Sequence, residues 1–175
     1  MEKATLYRTH GFTLIELVTV VIVLSVLAVI ALPKFLDATD QAHDSAMKAV
    51  NGAFGTAASS ARAQWLADGS IGNTVDFDGA TVPVSVNGWP SPVAGTADCI
   101  DLWRGLLQNP PEVIPWAGPL VSGDGFWALT VANPTISVCF YIYRPAYPDR
   151  FMWIAYYAHH ATLPQWNGRM LKSGF

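Results

Sequence analysis

Charge is scarce in this chain. Only 13% of its 175 residues are Asp, Glu, Lys or Arg, and the formal net charge is −3. The ten Lys and Arg are scattered and form no basic stripe. That excludes the electrostatic footprint of a nucleic-acid-binding protein. Cysteine is nearly absent too, with only Cys99 and Cys139. Neither sits in a CxxC pair or beside a His cluster, which argues against a zinc site. Catalytic patterns are missing: Ser122-Gly123 lacks the G-x-S-x-G elbow, and no nucleophile, base and orienting acid fall together. We therefore assign no catalytic residue and no cofactor. His43 stands alone, and His159 and His160 would point to opposite faces of a strand. Asp76 and Asp78 lie in a DFDG run near Asp68 and Asn73. Oxygen ligands in a Gly-rich loop suit calcium, but the EF-hand pattern is lacking and the run reads equally as a turn. We assign no metal.

What the chain does have is apolar sequence, at 51% of residues. It is too hydrophobic to be disordered, and its length suits one ordinary domain. The apolar residues are concentrated from Phe12 to Leu32, FTLIELVTVVIVLSVLAVIAL, where Glu16 is the one charge. Twenty-one residues at about 1.5 Å each give about 31 Å of helix, enough to cross a bilayer core. Lys3 and Arg8 precede the span, partly offset by Glu2, and the next cation is Lys34. This bias places the N-terminus inside and the rest outside. A secretory signal would have a shorter apolar core followed by a small-residue cleavage site, whereas Pro33, Lys34 and Phe35 follow here. A plain membrane anchor leaves Glu16 unexplained, because a carboxylate in an apolar span is costly. The bland alternative is a Glu that snorkels to the headgroups. If the C-terminal part lies outside the cytoplasm, Cys99 and Cys139 read as one disulfide, the alternative being two buried thiols. Closing a loop of roughly 40 residues would contribute up to ~4 kcal/mol.

Gly11-Phe12-Thr13-Leu14-Ile15-Glu16 resembles the GF(T/S)L(I/L)E signature of type IV prepilins. That resemblance implies a leader of residues 1–11, cut by prepilin peptidase between Gly11 and Phe12, with N-methylation of the new terminal Phe12. Glu16 then becomes the fifth residue of the mature chain and Pro33 the twenty-second, where pilins usually have them, and the short leader resembles that of the type IVa class. The new amine at Phe12 is a cation at the edge of an apolar phase. A carboxylate from a neighbouring helix would neutralise it, and in a low dielectric either charge alone is penalised. Phe12, Glu16 and Pro33 are thus the expected assembly residues. One departure is Ser25, where many pilins have Gly. The family can lose helix hereabouts in filaments, and Ser bonding back to the i−4 carbonyl can bend a helix.

Beyond Pro33 the pattern turns amphipathic. Ala42, Ala46, Ala49, Val50, Ala53, Phe54, Ala57, Ala61 and Trp65 recur at helical spacing, with Asp37, Asp40, Asp44, Lys48, Asn51 and Ser59 opposite. The helix should end near Ala67-Asp68-Gly69-Ser70, about 55 residues or ~80 Å from Phe12, weakened at Gly52 and Gly55. No domain this small buries so long a helix, so half of it should protrude. The expected organisation is a filament-core helix over residues 12–33, its amphipathic half over 34–68, and a globular head over 69–175. In the head a strand is expected near Thr81–Val86 and a short helix from Asp98 to Asn109, ended by Pro110 and Pro111. Strands over Gly125–Val131, Thr135–Arg144 and Phe151–Ala158, with short connections, form an antiparallel meander. The fold class is α+β, a long helix packed on an antiparallel sheet, as in type IV pilins. In most type IVa pilins the disulfide encloses a C-terminal loop, but a further strand follows Cys139 here. Ala31-Leu32-Pro33-Lys34-Phe35-Leu36, Gly88-Trp89-Pro90 and Cys99-Ile100-Asp101-Leu102-Trp103 resemble the mannose-sensitive haemagglutinin pilins. Trp89, Trp116 and Trp166 fall in loop-like stretches, where packing is the favoured reading over sugar stacking.

The resemblance implies a structural pilus subunit serving adhesion, surface motility or DNA uptake. Its partners would be prepilin peptidase, other pilin subunits, the inner membrane and the pilus assembly machinery, with no nucleic-acid contact assigned. Its precursor would sit in the inner membrane, head in the periplasm, before assembly into an extracellular pilus. The alternatives are a pseudopilin of a type II secretion system and, less supported, a membrane-tethered periplasmic enzyme.

Overall fold

The computed structural model describes residues 11–92 and 98–175. Residues 1–10 of the expected leader, with Lys3 and Arg8, lie outside the described residues. The chain divides into two compact units, Met1–Ala42 and His43–Phe175. One helix, α1 (Leu14–Ala67), contributes to both. It is unbroken through Ser25, Pro33, Gly52 and Gly55. Pro33 supplies no N–H, so the Val29 carbonyl loses its helical donor. Nearby hydroxyls bond back along the helix, Ser25 Oγ to the Val21 carbonyl and Thr39 Oγ1 to the Phe35 carbonyl at 3.0 Å. The helix ends where expected, as Gly69 and Ser70 enter the left-handed region (φ 91° and 60°).

Within His43–Phe175, α1 buries Met47, Phe54, Ala58, Ala61 and Trp65. The stripe read from the sequence needs correction here. Ala42, Ala46, Ala49 and Ala53 are exposed, while Asp44 and Asn51, assigned to the polar face, are half-buried. The buried face is rotated because large side chains set it: Met47, Phe54 and Trp65 reach the core, and alanine gains little from burial. Asp44 is held by Arg150 at 2.6 Å, and the same guanidinium donates to the Gly174 carbonyl at 2.6 Å.

A hairpin, β1 (Thr74–Phe77) and β2 (Ala80–Pro83), follows α1. Next come α2 (Cys99–Leu106) and the strands β3 (Val113–Pro115), β4 (Phe126–Ala132), β5 (Ile136–Tyr143), β6 (Met152–His160) and β7 (Arg169–Ser173). The main sheet has the order β3-β4-β5-β6-β7. Strands β4 to β6 form the expected antiparallel meander, β7 extends it with a strand that the sequence reading did not include, and β3 runs parallel to β4, so the sheet is mixed. Alternation along the strands sends Tyr141 and Tyr156 to the face that meets Phe54, at ring centroid distances of 5.4 and 5.1 Å. Trp103 of α2 completes the cluster, 4.5 Å from Tyr141 and 4.9 Å from Phe126, and its indole donates to the Pro111 carbonyl at 2.9 Å.

Cys99 and Cys139 form a disulfide joining the first turn of α2 to the middle of β5. It therefore spans the core instead of enclosing a C-terminal loop. Tyr141 Oη donates to the Cys99 carbonyl at 2.8 Å, and the Cys99 amide donates to Thr130 Oγ1 at 3.1 Å. Asp98 caps α2, accepting from the amides of Ile100 and Asp101, while Asp101 accepts from the Asp98 amide. This reciprocal box satisfies donors that the helix leaves free. Asp98→Ala is expected to cost about 1 kcal/mol, read as a lower urea midpoint with an unchanged slope.

Burial raises the pKa of Tyr141 well above the ordinary phenol value, with smaller contributions from Tyr156 and Asp98. Burial also raises Tyr156, opposed by Arg62, and raises Tyr143. A folded pKa above the unfolded one means the unfolded chain loses its proton first. The stability these phenols contribute is complete below about pH 10 and falls as pH rises beyond it. Alkaline titration should therefore leave part of the tyrosinate absorbance unformed until near-ultraviolet circular dichroism is lost. Complete tyrosinate formation near pH 10 with native dichroism intact would contradict this.

Candidate assembly site

The N-terminal segment is a helix start followed by an apolar span. The Glu16 amide donates to Thr13 Oγ1 at 3.3 Å, and the Thr13 hydroxyl reaches Glu16 Oε2 at 3.5 Å. The Leu17 amide donates to the Thr13 carbonyl at 3.2 Å. Thr13 therefore closes the first turn of α1 as an N-cap, and Glu16 places its carboxylate at the positive end of the helix. Sequence reasoning gave Thr13 no role, although the Thr-x-x-Glu spacing before an apolar run is a capping-box pattern.

From Phe12 to Leu36 every large apolar side chain is exposed, Phe12 by 82% and Phe35 by 69%. Alpha-1 is the one helix, among the described residues, long and apolar enough to cross a membrane. So much continuous apolar surface is unfavourable in water and requires a lipid or protein environment. Gly11 is exposed, and a Cβ there would meet nothing within 4 Å. The structure thus brings Thr13 and Glu16 together at the helix start. It places Pro33 within α1 and the Cys99–Cys139 bridge in the core of His43–Phe175.

Other candidates have structural employment. Asp76 lies on β1, and Asp78 takes a left-handed turn conformation (φ 53°) and accepts a hydrogen bond from Gln108 Nε2. His159 and His160 pair with Ser137 and Ile136 on successive positions of β6, and His160 Nδ1 accepts from the Leu163 amide at 3.2 Å. His43 Nδ1 lies 3.2 Å from the Tyr143 hydroxyl. Trp89 packs under Arg62, whose guanidinium carbon is 4.7 Å from the ring centroid, and Trp166 packs on Tyr157 at 4.9 Å. Trp116 remains exposed.

The prokaryotic N-terminal methylation motif family matches residues 6–32. The chain is 35% identical over 107 residues to the type IV narrow pilus major component PilA5 of Thermus thermophilus, covering 56% of this chain and 90% of that protein. The chain belongs to the type IV pilins. No solved structure matches it. Pilins are structural subunits, not enzymes, and the family implies processing by prepilin peptidase and assembly into a pilus with other pilin subunits. The methylation motif and the apolar helix fit an inner-membrane precursor that becomes part of an extracellular pilus. In this pilin the long helix and mixed sheet give the α+β architecture expected from the sequence.

Proposed function

We propose that this pilin is cut between Gly11 and Phe12, methylated at Phe12, and polymerised as the main subunit of a surface pilus. The observation that carries this reading is the Gly-Phe-Thr-Leu-Ile-Glu start leading directly into an exposed apolar helix. The similarity to a major pilus component supports the abundant rather than the accessory role. In the precursor, Phe12–Leu32 occupies the inner membrane with the head in the periplasm. On assembly the same helix exchanges lipid for the apolar sides of neighbouring helices, so the filament core replaces the bilayer as its solvent. The Glu16 carboxylate meets the Phe12 ammonium of an adjacent subunit, which couples neutralisation to one axial register. In the uncleaved chain Phe12 has a peptide nitrogen and no charge, so that pairing becomes available only after the peptidase acts.

A deletion strain tests the role. Loss of surface filaments, restored by the plasmid-borne gene, with unchanged export of secreted enzymes, is the expected result. A strain that still makes its filaments but fails to export enzymes would instead make the chain a secretion pseudopilin.

A further inference from the structure

Three Asn-Gly pairs stand in this chain, at Asn51, Asn87 and Asn167. Such a pair carries a chemistry of its own. The backbone nitrogen after the asparagine can attack the side-chain Cγ, and glycine leaves that nitrogen unshielded and the backbone free to turn. The fold treats the three pairs differently.

Asn51 and Gly52 lie inside α1. The Gly52 amide belongs to the helical ladder there, and the helix must open before its nitrogen reaches Cγ. Asn167 is held by its side chain as well as by its backbone. Its Oδ1 accepts from the His160 amide at 2.6 Å, and the Gly168 amide donates to the Tyr157 carbonyl at 2.7 Å. The Trp89 ring also covers Gly168. Asn87 sits at the tip of a turn, beside Val86, which is 83% exposed. The Asn87 side chain is exposed and makes no hydrogen bond among the described residues. Two backbone groups are restrained. The Gly88 amide donates to the Ser85 carbonyl at 2.8 Å, and the Asn87 carbonyl accepts from Arg62 Nε at 3.1 Å. Opening these bonds at an exposed tip costs less than opening a helix or a packed corner. The fold also keeps the glycine in place. Gly88 has φ 75°, and a Cβ there would collide with the Trp65 ring.

We infer that Asn87-Gly88 is a self-modification site, at which the folded chain converts Asn87 to aspartate and isoaspartate with water as the only co-reactant. The Gly88 nitrogen gives its proton to solvent base and bonds to Asn87 Cγ. The bond from Cγ to the side-chain nitrogen breaks, and ammonia leaves with a proton from water. Water then opens the cyclic succinimide at either carbonyl, and nothing is oxidised or reduced. The new carboxylate forms on the residue that Arg62 already contacts. Arg62 supplies the one charge, among the described residues, of the groove that it lines with Trp65, Asn87, Trp89 and Asn167. The conversion turns that groove from cationic to neutral as the chain ages. It needs only the folded head, whether or not the chain joins a filament.

Peptide mapping by mass spectrometry tests this on the full chain in detergent, aged in mildly alkaline buffer made with heavy-oxygen water. The Asn87 peptide is expected to convert severalfold faster than the Asn51 and Asn167 peptides, to take up one heavy oxygen and to yield mostly isoaspartate. In denaturant the three pairs should convert at similar rates. An Asn51 or Asn167 peptide that keeps pace with Asn87 in the folded chain overturns the proposal. So does an Asn87 peptide that stays intact after the denatured control has converted. Asn87→Gln keeps an amide but needs a larger, slower ring, so isoelectric focusing should show its acidic form severalfold reduced. An acidic form appearing at the parent rate in Asn87→Gln assigns the new charge to another residue and sinks the proposal.

Discussion

Glu16→Ala is expected to remove filaments from the sheared fraction while processed chain accumulates in the inner membrane. The residue has two roles at the helix start. Its carboxylate sits in the first turn of α1 near Thr13, which is worth about 0.3–1 kcal/mol at an exposed helix end. That is too little to decide assembly of a helix held in lipid. The second role, proposed here, is to neutralise the Phe12 ammonium of a neighbour. Removing one partner of a buried ion pair typically costs about 3–5 kcal/mol, because the other charge is stranded. The penalty recurs at every subunit added, so polymerisation stops. Glu16→Gln separates the two roles, since it keeps the shape and a polar group while losing the charge. Filaments from Glu16→Gln with none from Glu16→Ala would assign the role to capping or shape. Normal filaments from both would remove charge pairing from the mechanism.

Phe54→Ala is expected to destabilise the head by about 3–5 kcal/mol, the usual cost of emptying a large aromatic site. Phe54 is fully buried, with Trp103, Tyr141 and Tyr156 around it at centroid distances of 6.0, 5.4 and 5.1 Å. It joins α1, α2 and the sheet in a single cluster, so little can collapse into the void. Against a typical total stability of about 5–15 kcal/mol, the loss leaves a marginal head. Denaturant unfolding of the detergent-solubilised chain gives the number. Ala53→Ser, one residue away, should change it by no more than about 0.5 kcal/mol, because Ala53 is exposed. A large effect at Ala53 would return it to the buried face read from the sequence, which held Ala53 and Phe54 alike.

That contrast shows where the sequence was legible. The long helix, its end at Ala67, α2 and strands β4 to β6 carry strong local signals: an unbroken apolar run, Gly69 as a stop, a paired proline, and alternating aromatics. The rotation of the buried helix face carried none, because alanines fit either side and only contact with the sheet decides. Strand β3 spans just Val113–Pro115, follows two prolines, and exists through pairing with β4, a non-local cause. Strand β7 is similar, since Arg169 and Lys172 make it look like a surface loop. At the proposed assembly site, Gly11, Phe12 and Glu16 stand out in the sequence because motif, spacing and span agree. Thr13 was passed over although its spacing to Glu16 announced a cap. The Arg150–Asp44 pair joins residues far apart in sequence, so no local pattern could reveal it.

The most direct test is the intact mass of the subunit in sheared filaments. One dominant species is expected, beginning at N-methylated Phe12, running to Phe175 and retaining the Cys99–Cys139 disulfide. A filament fraction without this species, with the chain uncut at Gly11 or confined to the inner membrane, would contradict it.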